Sequence, residues 1–89
     1  MNKEKLIVLN NHFQLQFEKA QDCFVLLYPE GMVQLNQSAG EIMNQCDGTQ
    51  NFKQIVTTLE KKFSMTDLEK DVEAFFKEAI ERKWVNYVD

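Results

Sequence analysis

This 89-residue chain has little of what builds reactive or cross-linked sites: two cysteines, one histidine, one proline and three glycines. Cys23 and Cys46 are too few and too far apart to frame a zinc site, and a cytosolic chain rarely keeps a disulfide, so both are expected to be free, buried thiols. Neither has a sequence-adjacent base or helix N-terminus to lower its pKa. His12 lies in the polar approach Asn10-Asn11-His12 and is expected in solvent. No phosphate loop, dinucleotide fingerprint or metal-ligand spacing is present. The chain therefore reads as a protein that is not an enzyme and uses no cofactor. No window approaches the ~20 apolar residues that cross a bilayer. Lys3, Glu4 and Lys5 precede an apolar run, Leu6 to Leu9, that is too short for a signal peptide and has no small-residue cleavage site. A cytoplasmic location is the expectation.

Positive charge is also scarce. The formal net charge is −4, whereas neutralisation by Lys and Arg supplies most non-specific affinity for nucleic acid. From Asp67 to Lys83 six acidic residues stand against four basic ones. That stretch repels phosphate, so nucleic acid is not an expected partner; nor, without a spanning window, is a membrane.

What the chain does have is apolar residues, 44% of the total, with seven Phe. A chain this short buries only roughly 60% of the surface its unfolded form exposes. A single domain over residues 1–89 is expected, with 1–12 as a flexible or loosely packed arm. Phe13-Gln14-Leu15-Gln16-Phe17-Glu18 alternates strictly, which places Phe13, Leu15 and Phe17 on one face of a strand. After the polar turn Ala20-Gln21-Asp22, the run Cys23 to Tyr28 is apolar on both faces, with Val25 and Leu27 opposite Phe24, Leu26 and Tyr28. Either the arm covers the second face through Leu6 to Leu9, or that face meets another protein. Pro29-Glu30-Gly31 fixes one φ and frees another, so the chain reverses. Met32 to Leu35 is the short return strand.

Helices follow. Asn36 caps the first, which runs to about Cys46; Ser38 and Glu41 offer a further box-like pair, and Asp47-Gly48 ends it with Gly48 in the left-handed C-terminal position. Asn51 with Gln54 forms a capping box for a second helix, on which Phe52, Ile55, Val56, Leu59 and Phe63 recur at helical spacing. Thr66 with Glu69 reads as a third box, and Asp67 adds favourable negative charge to the first turn. On the last helix Leu68, Val72, Phe75, Phe76, Ala79, Ile80 and the stem of Lys83 span about 140°, wide for a helix facing one core. Trp84 to Val88 forms an extended or strand-like tail. The fold class is α+β, a three-stranded antiparallel sheet followed by three helices. Leu15, Leu27, Ile42, Ile55, Leu59, Leu68, Phe76 and Ile80 are assigned to the core.

The third strand lies at an edge of this meander, and edges expose unpaired backbone groups that proteins blunt with Lys, Pro or charge. Met32 to Leu35 carries none of these. An open edge beside an over-wide apolar helix makes a groove for an extended peptide, added as a fourth strand. A short edge protected by its brevity, beside a helix that merely fills the core, is the competing reading.

The block VLLYPEGM (Val25 to Met32), with Leu35-Asn36, Ser38-Ala39 and Cys46-Asp47-Gly48 at fixed offsets, resembles the pyrroloquinoline quinone biosynthesis protein D (PqqD) family. Weaker similarity extends from about Phe13 to Val85. Only the first dozen residues depart, lacking the arginine-containing lead-in common in the family. The resemblance implies a winged-helix-like arrangement and a peptide chaperone. Such a protein would hold the ribosomal precursor PqqA and present it to the radical S-adenosylmethionine enzyme PqqE, which crosslinks a Glu and a Tyr of the peptide. It places the groove on Met32, Val33, Gln34 and Leu35 and, from the last helix, on Asp71, Val72, Phe75 and Ala79. Strand residues would supply backbone hydrogen bonds; Val72, Phe75 and Ala79 would supply pockets; Asp71 would pair with a basic residue of the peptide.

Two other roles stay open: leader recognition in another modified-peptide pathway, and an oligomeric scaffold using the two-faced strand Cys23 to Tyr28. A monomer is expected, although the short turns also permit a domain-swapped dimer.

Overall fold

The strictly alternating segment and the two-faced apolar run fold into neighbouring strands, and the capped segments after them into helices. The computed structural model describes residues 1–88. Its elements are β1 Leu6–Leu9, β2 Gln14–Glu18, β3 Cys23–Tyr28, β4 Gly31–Gln34, α1 Gln37–Met43, β5 Asp47–Asn51, α2 Phe52–Phe63, α3 Glu69–Glu81 and β6 Val85–Val88. The α+β meander β2-β3-β4 and the three helices are as the sequence predicts. A second antiparallel sheet, β5-β1-β6, is an addition.

That second sheet corrects the reading of residues 1–12 as a loose arm. Ile7 is buried to 1% exposure and pairs with Tyr87. The backbone amide of Asn2 donates to the Tyr87 hydroxyl at 2.7 Å, and Lys3 bridges to Glu73 at 3.4 Å. The strand β1 therefore does not cover β3. Instead Val25, fully buried, lies between its cross-strand neighbours Gln16 and Gln34 on the face away from the helices. Leu27 shares that face and falls outside the main core cluster, contrary to its assignment there.

Phe24 and Leu26 point the other way, toward α1 and the core. That core holds Ile7, Ile42, Phe52, Ile55, Leu59 and Phe76. Leu15, Leu68 and Ile80 pack half-buried against it. Phe52 and Phe76 meet edge to face at 6.3 Å, a geometry that adds to the area they bury.

The caps explain where the helices start. Asn36 Oδ1 accepts the Ala39 N–H at 2.8 Å. Asn51 and Gln54 form the reciprocal box. The first helix ends at Met43 instead of Cys46, because Asp47–Asn51 is drawn into β5 against β1. Gly48 does take a positive φ, +86°, but inside β5, not as a helix cap. The Thr66 box does not form: Leu68 occupies the cap position of α3 with no side-chain bond. Asp67, left-handed at φ +60°, stands between Thr66 and the helix. The Leu68 amide donates to Glu60 Oε2 at 3.1 Å.

Candidate functional site

The strand β4 pairs with β3 on one side, and no strand covers its other side among the described residues. The Leu35 N–H donates to Phe24 O at 3.0 Å, and the register runs Val25↔Gln34, Leu26↔Val33, Leu27↔Met32. Antiparallel pairs alternate between residues that exchange backbone bonds and residues that do not. Val33 is thus bonded to Leu26, whereas Met32 and Gln34 turn their N–H and C=O outward. The Met32 side chain is 54% exposed. The Gln34 side chain is held by Gln21 Oε1 at 3.1 Å and Cys23 Sγ at 3.4 Å. Neither a charge nor a proline blunts this edge.

Three residues beyond Gln34, Gln37 begins the rim of an open cavity of about 330 Å³ bordered by α1, the end of α2 and the start of α3. Ile42, Leu59, Leu68 and Val72 form its apolar lining with Phe63 and Met65, while Gln37, Ser38, Glu41 and Asp71 supply polar groups. Phe63 and Met65 are exposed. They project from the exit of α2, which closes on the left-handed Ser64. The two acids differ in partners. Glu41 Oε1 accepts from Lys62 Nζ at 2.9 Å, whereas the Asp71 carboxylate has no hydrogen bond or ion pair among the described residues.

The residues read from sequence divide accordingly. Met32 and Gln34 present free backbone, and Val33 supports them from the core side. Leu35 is buried and anchors the strand's exit. Asp71 and Val72 do reach the cavity. Phe75 is half-buried, its ring 5.8 Å from Phe76 and 6.3 Å from Trp84. Ala79 offers no surface, because it lies wholly within the core and its carbonyl accepts the Trp84 N–H at 2.8 Å. The contribution of α1 and of Phe63 and Met65 was not read from sequence. The available signal was Met65, an apolar residue just past a helix end with no place in any stripe.

Cys46 and Asp47, whose titration the fold shifts, do not line this cavity. Burial, and secondarily the charge of Asp47, pushes the Cys46 thiol from 9.0 to about 12. The Thr49 hydroxyl and amide, at 2.5 Å and 3.0 Å, lower the Asp47 carboxyl. Among the described residues no group of His, Cys, Asp and Glu side chains is clustered to hold a metal, and none of their helices is long and apolar enough to cross a membrane.

Comparison with known proteins bears on the same region. Residues 23–85 match the family described as Coenzyme PQQ synthesis protein D (PqqD). A PqqA binding protein of Azotobacter vinelandii is 47% identical over 78 residues, covering 86% of this chain and 85% of the relative. The solution structure of the PqqD truncation of Methylobacterium extorquens PqqCD is described as a stand-alone recognition element for ribosomally synthesised, post-translationally modified peptides. It superposes with a TM-score of 0.78 at 20% identity, covering 97% of this chain and 94% of that one. The heterocyclase TruD contains the same fold, with a TM-score of 0.73 at 19% identity over 94% of this chain and 12% of that one.

Proposed function

We propose that this chain, which belongs to the coenzyme PQQ synthesis protein D (PqqD) family, captures the precursor peptide PqqA as an added strand on β4. It then presents the peptide to the radical S-adenosylmethionine enzyme PqqE. The observation that carries this reading is the open edge at Met32 and Gln34, beside an apolar cavity. The name of the Azotobacter relative, a PqqA binding protein, supports the choice of peptide.

Capture works without chemistry on the guest. Outward backbone groups of Met32 and Gln34 exchange hydrogen bonds with the guest strand, while side-chain seats select the sequence. Each bond is modest on its own, about 0.5–1.5 kcal/mol net. Holding the peptide extended is the service rendered to the enzyme, since the cost of ordering a flexible chain is then met before the reactive residues are delivered. Val33, Leu35 and Ala79 keep the edge and helix in place, with Val72 at the cavity floor and Phe75 beside it. The protein acts as a non-catalytic monomer in the cytoplasm.

Calorimetric titration with synthetic PqqA tests this directly. Saturable one-to-one binding is expected, and a scrambled peptide is expected not to bind. Equal binding of both peptides, or of neither, contradicts the proposal. Retention of PqqE on an immobilised complex of the two tests the second step.

A further inference from the structure

Resting on that reading, we infer that Met32 and Met65 form an oxidative modification site: a hydroperoxide converts their exposed thioethers to sulfoxides, and the oxidised chain holds its peptide weakly until a reductase restores the sulfur. The placement of sulfur in the fold carries this. The chain has four methionines and two cysteines. Met43 and Cys46 lie in the core, Met43 at 2% exposure, whereas Met65 is 53% exposed and Met32 as open. Met1 is exposed too but stands apart, since its neighbour Asn2 is tied to Tyr87 of β6. Beyond the N-terminus, then, the accessible thioethers are one on the open strand and one on the lining of the cavity.

The step balances without help from the protein. The oxygen–oxygen bond of the hydroperoxide breaks, a sulfur–oxygen bond forms, and the proton of the transferred oxygen moves to the departing one, which leaves as an alcohol or water. Sulfur gives up two electrons and the peroxide takes them. The product replaces a flexible apolar side chain by a polar, chiral one. At Met65 that change falls among Ile42, Leu59, Phe63 and Leu68. A sulfoxide there keeps its oxygen in water, so the guest covers less apolar surface. At Met32 it falls opposite Leu27, beside the position of an added strand. Neither change touches what holds the fold. The Met65 amide donates to Glu60 O at 2.9 Å, and Met32 pairs with β3 through its strand.

The test treats the free chain with dilute hydrogen peroxide, removes the peroxide, and adds dithiothreitol to return reversibly oxidised Cys23 to the thiol while leaving sulfoxides in place. Peptide mapping by mass should show Met32 and Met65 oxidised well before Met43, and the product should melt like the parent. Titration with synthetic PqqA should then show about 3- to 10-fold weaker binding, the scale of losing a half-buried methionine contact. Methionine sulfoxide reductases should restore it. Met32→Leu with Met65→Leu, compared with itself before peroxide, should show no such loss. Oxidation of Met43 at the same rate, unchanged affinity with both sulfoxides formed, an early melt of the oxidised chain, or an equal loss in the double variant would each overturn the site while leaving capture on β4 intact. If the untreated chain does not bind PqqA, the proposed function fails and this inference with it.

Discussion

Gly40 of α1 lies so close against Phe24 of β3 that a Cβ at Gly40 would stand 2.6 Å from Phe24 Cδ2 and 3.0 Å from Phe24 Cβ. The contact seats α1 on the sheet, and α1 carries the rim of the cavity. Gly40→Ala would normally help a helix by about 0.8–1.0 kcal/mol. Here the clash is with atoms near the Phe24 backbone, and overpacking of this kind costs about 1–3 kcal/mol. A net loss of stability is expected in urea denaturation. A variant as stable as the parent contradicts the close approach.

The capping assignments separate two similar-looking motifs. Asn51→Ala removes the acceptor for the Gln54 amide at 2.9 Å and should cost about 1 kcal/mol. Thr66→Ala removes no cap, since Leu68 occupies that position. Its thermal midpoint should stay near the parent's. Equal losses for the two variants would show that the Thr66 box forms after all.

Neighbouring phenylalanines should differ in degree. Phe76 is fully buried against Phe52, so Phe76→Ala should cost about 3–5 kcal/mol. Phe75, half-buried, packs on Phe76 and Trp84. Phe75→Ala is expected to lose two ring contacts of about 0.5–1.5 kcal/mol each. Its effect on peptide affinity must then be read against that loss. A Phe75 variant that melts like the parent would mean its ring is free for the guest alone.

Cys46 sets an alkaline limit. Its folded-state pKa, about 12, lies above the ordinary 9.0, so the folded state keeps the proton longer than the unfolded chain does. This contribution to stability is fully present below pH 9 and is lost as pH rises from 9 toward 12. Cys46→Ala should flatten the decline in that window, measured by denaturation at a series of pH values. At pH 8 the folded chain should expose Cys23, half-buried, to a thiol reagent well before Cys46. Equal labelling rates would contradict the burial of Cys46.

The local signals were legible in sequence wherever the residues that make a feature lie close together. The Asn36 cap, the Asn51-Gln54 box, the β3-β4 turn at Pro29-Glu30-Gly31 and the edge position of β4 all follow from neighbours. The second sheet did not, because β1 finds its partners in β5 and β6, about 40 and 80 residues away. Leu6 to Leu9 gives no hint of either. The same cause misplaced the end of α1, since β5 competes for Asp47–Asn51. At the site, the wide apolar arc of α3 was visible, but not which part of it the core uses. Val72 and Ala79 lie at the middle of that arc and are buried. The cavity takes only Leu68 and Val72 from that arc, and its rim comes from Met65, Asp71 and the polar residues of α1.

Amide hydrogen exchange of Met32, Val33 and Gln34, followed by NMR with and without saturating PqqA, is the most direct measurement. Val33 is already bonded to β3 and should be protected in both states. Met32 and Gln34 should exchange quickly in the free chain and become protected when the peptide adds to β4. Fast exchange at both residues with the peptide fully bound would contradict strand addition at this edge.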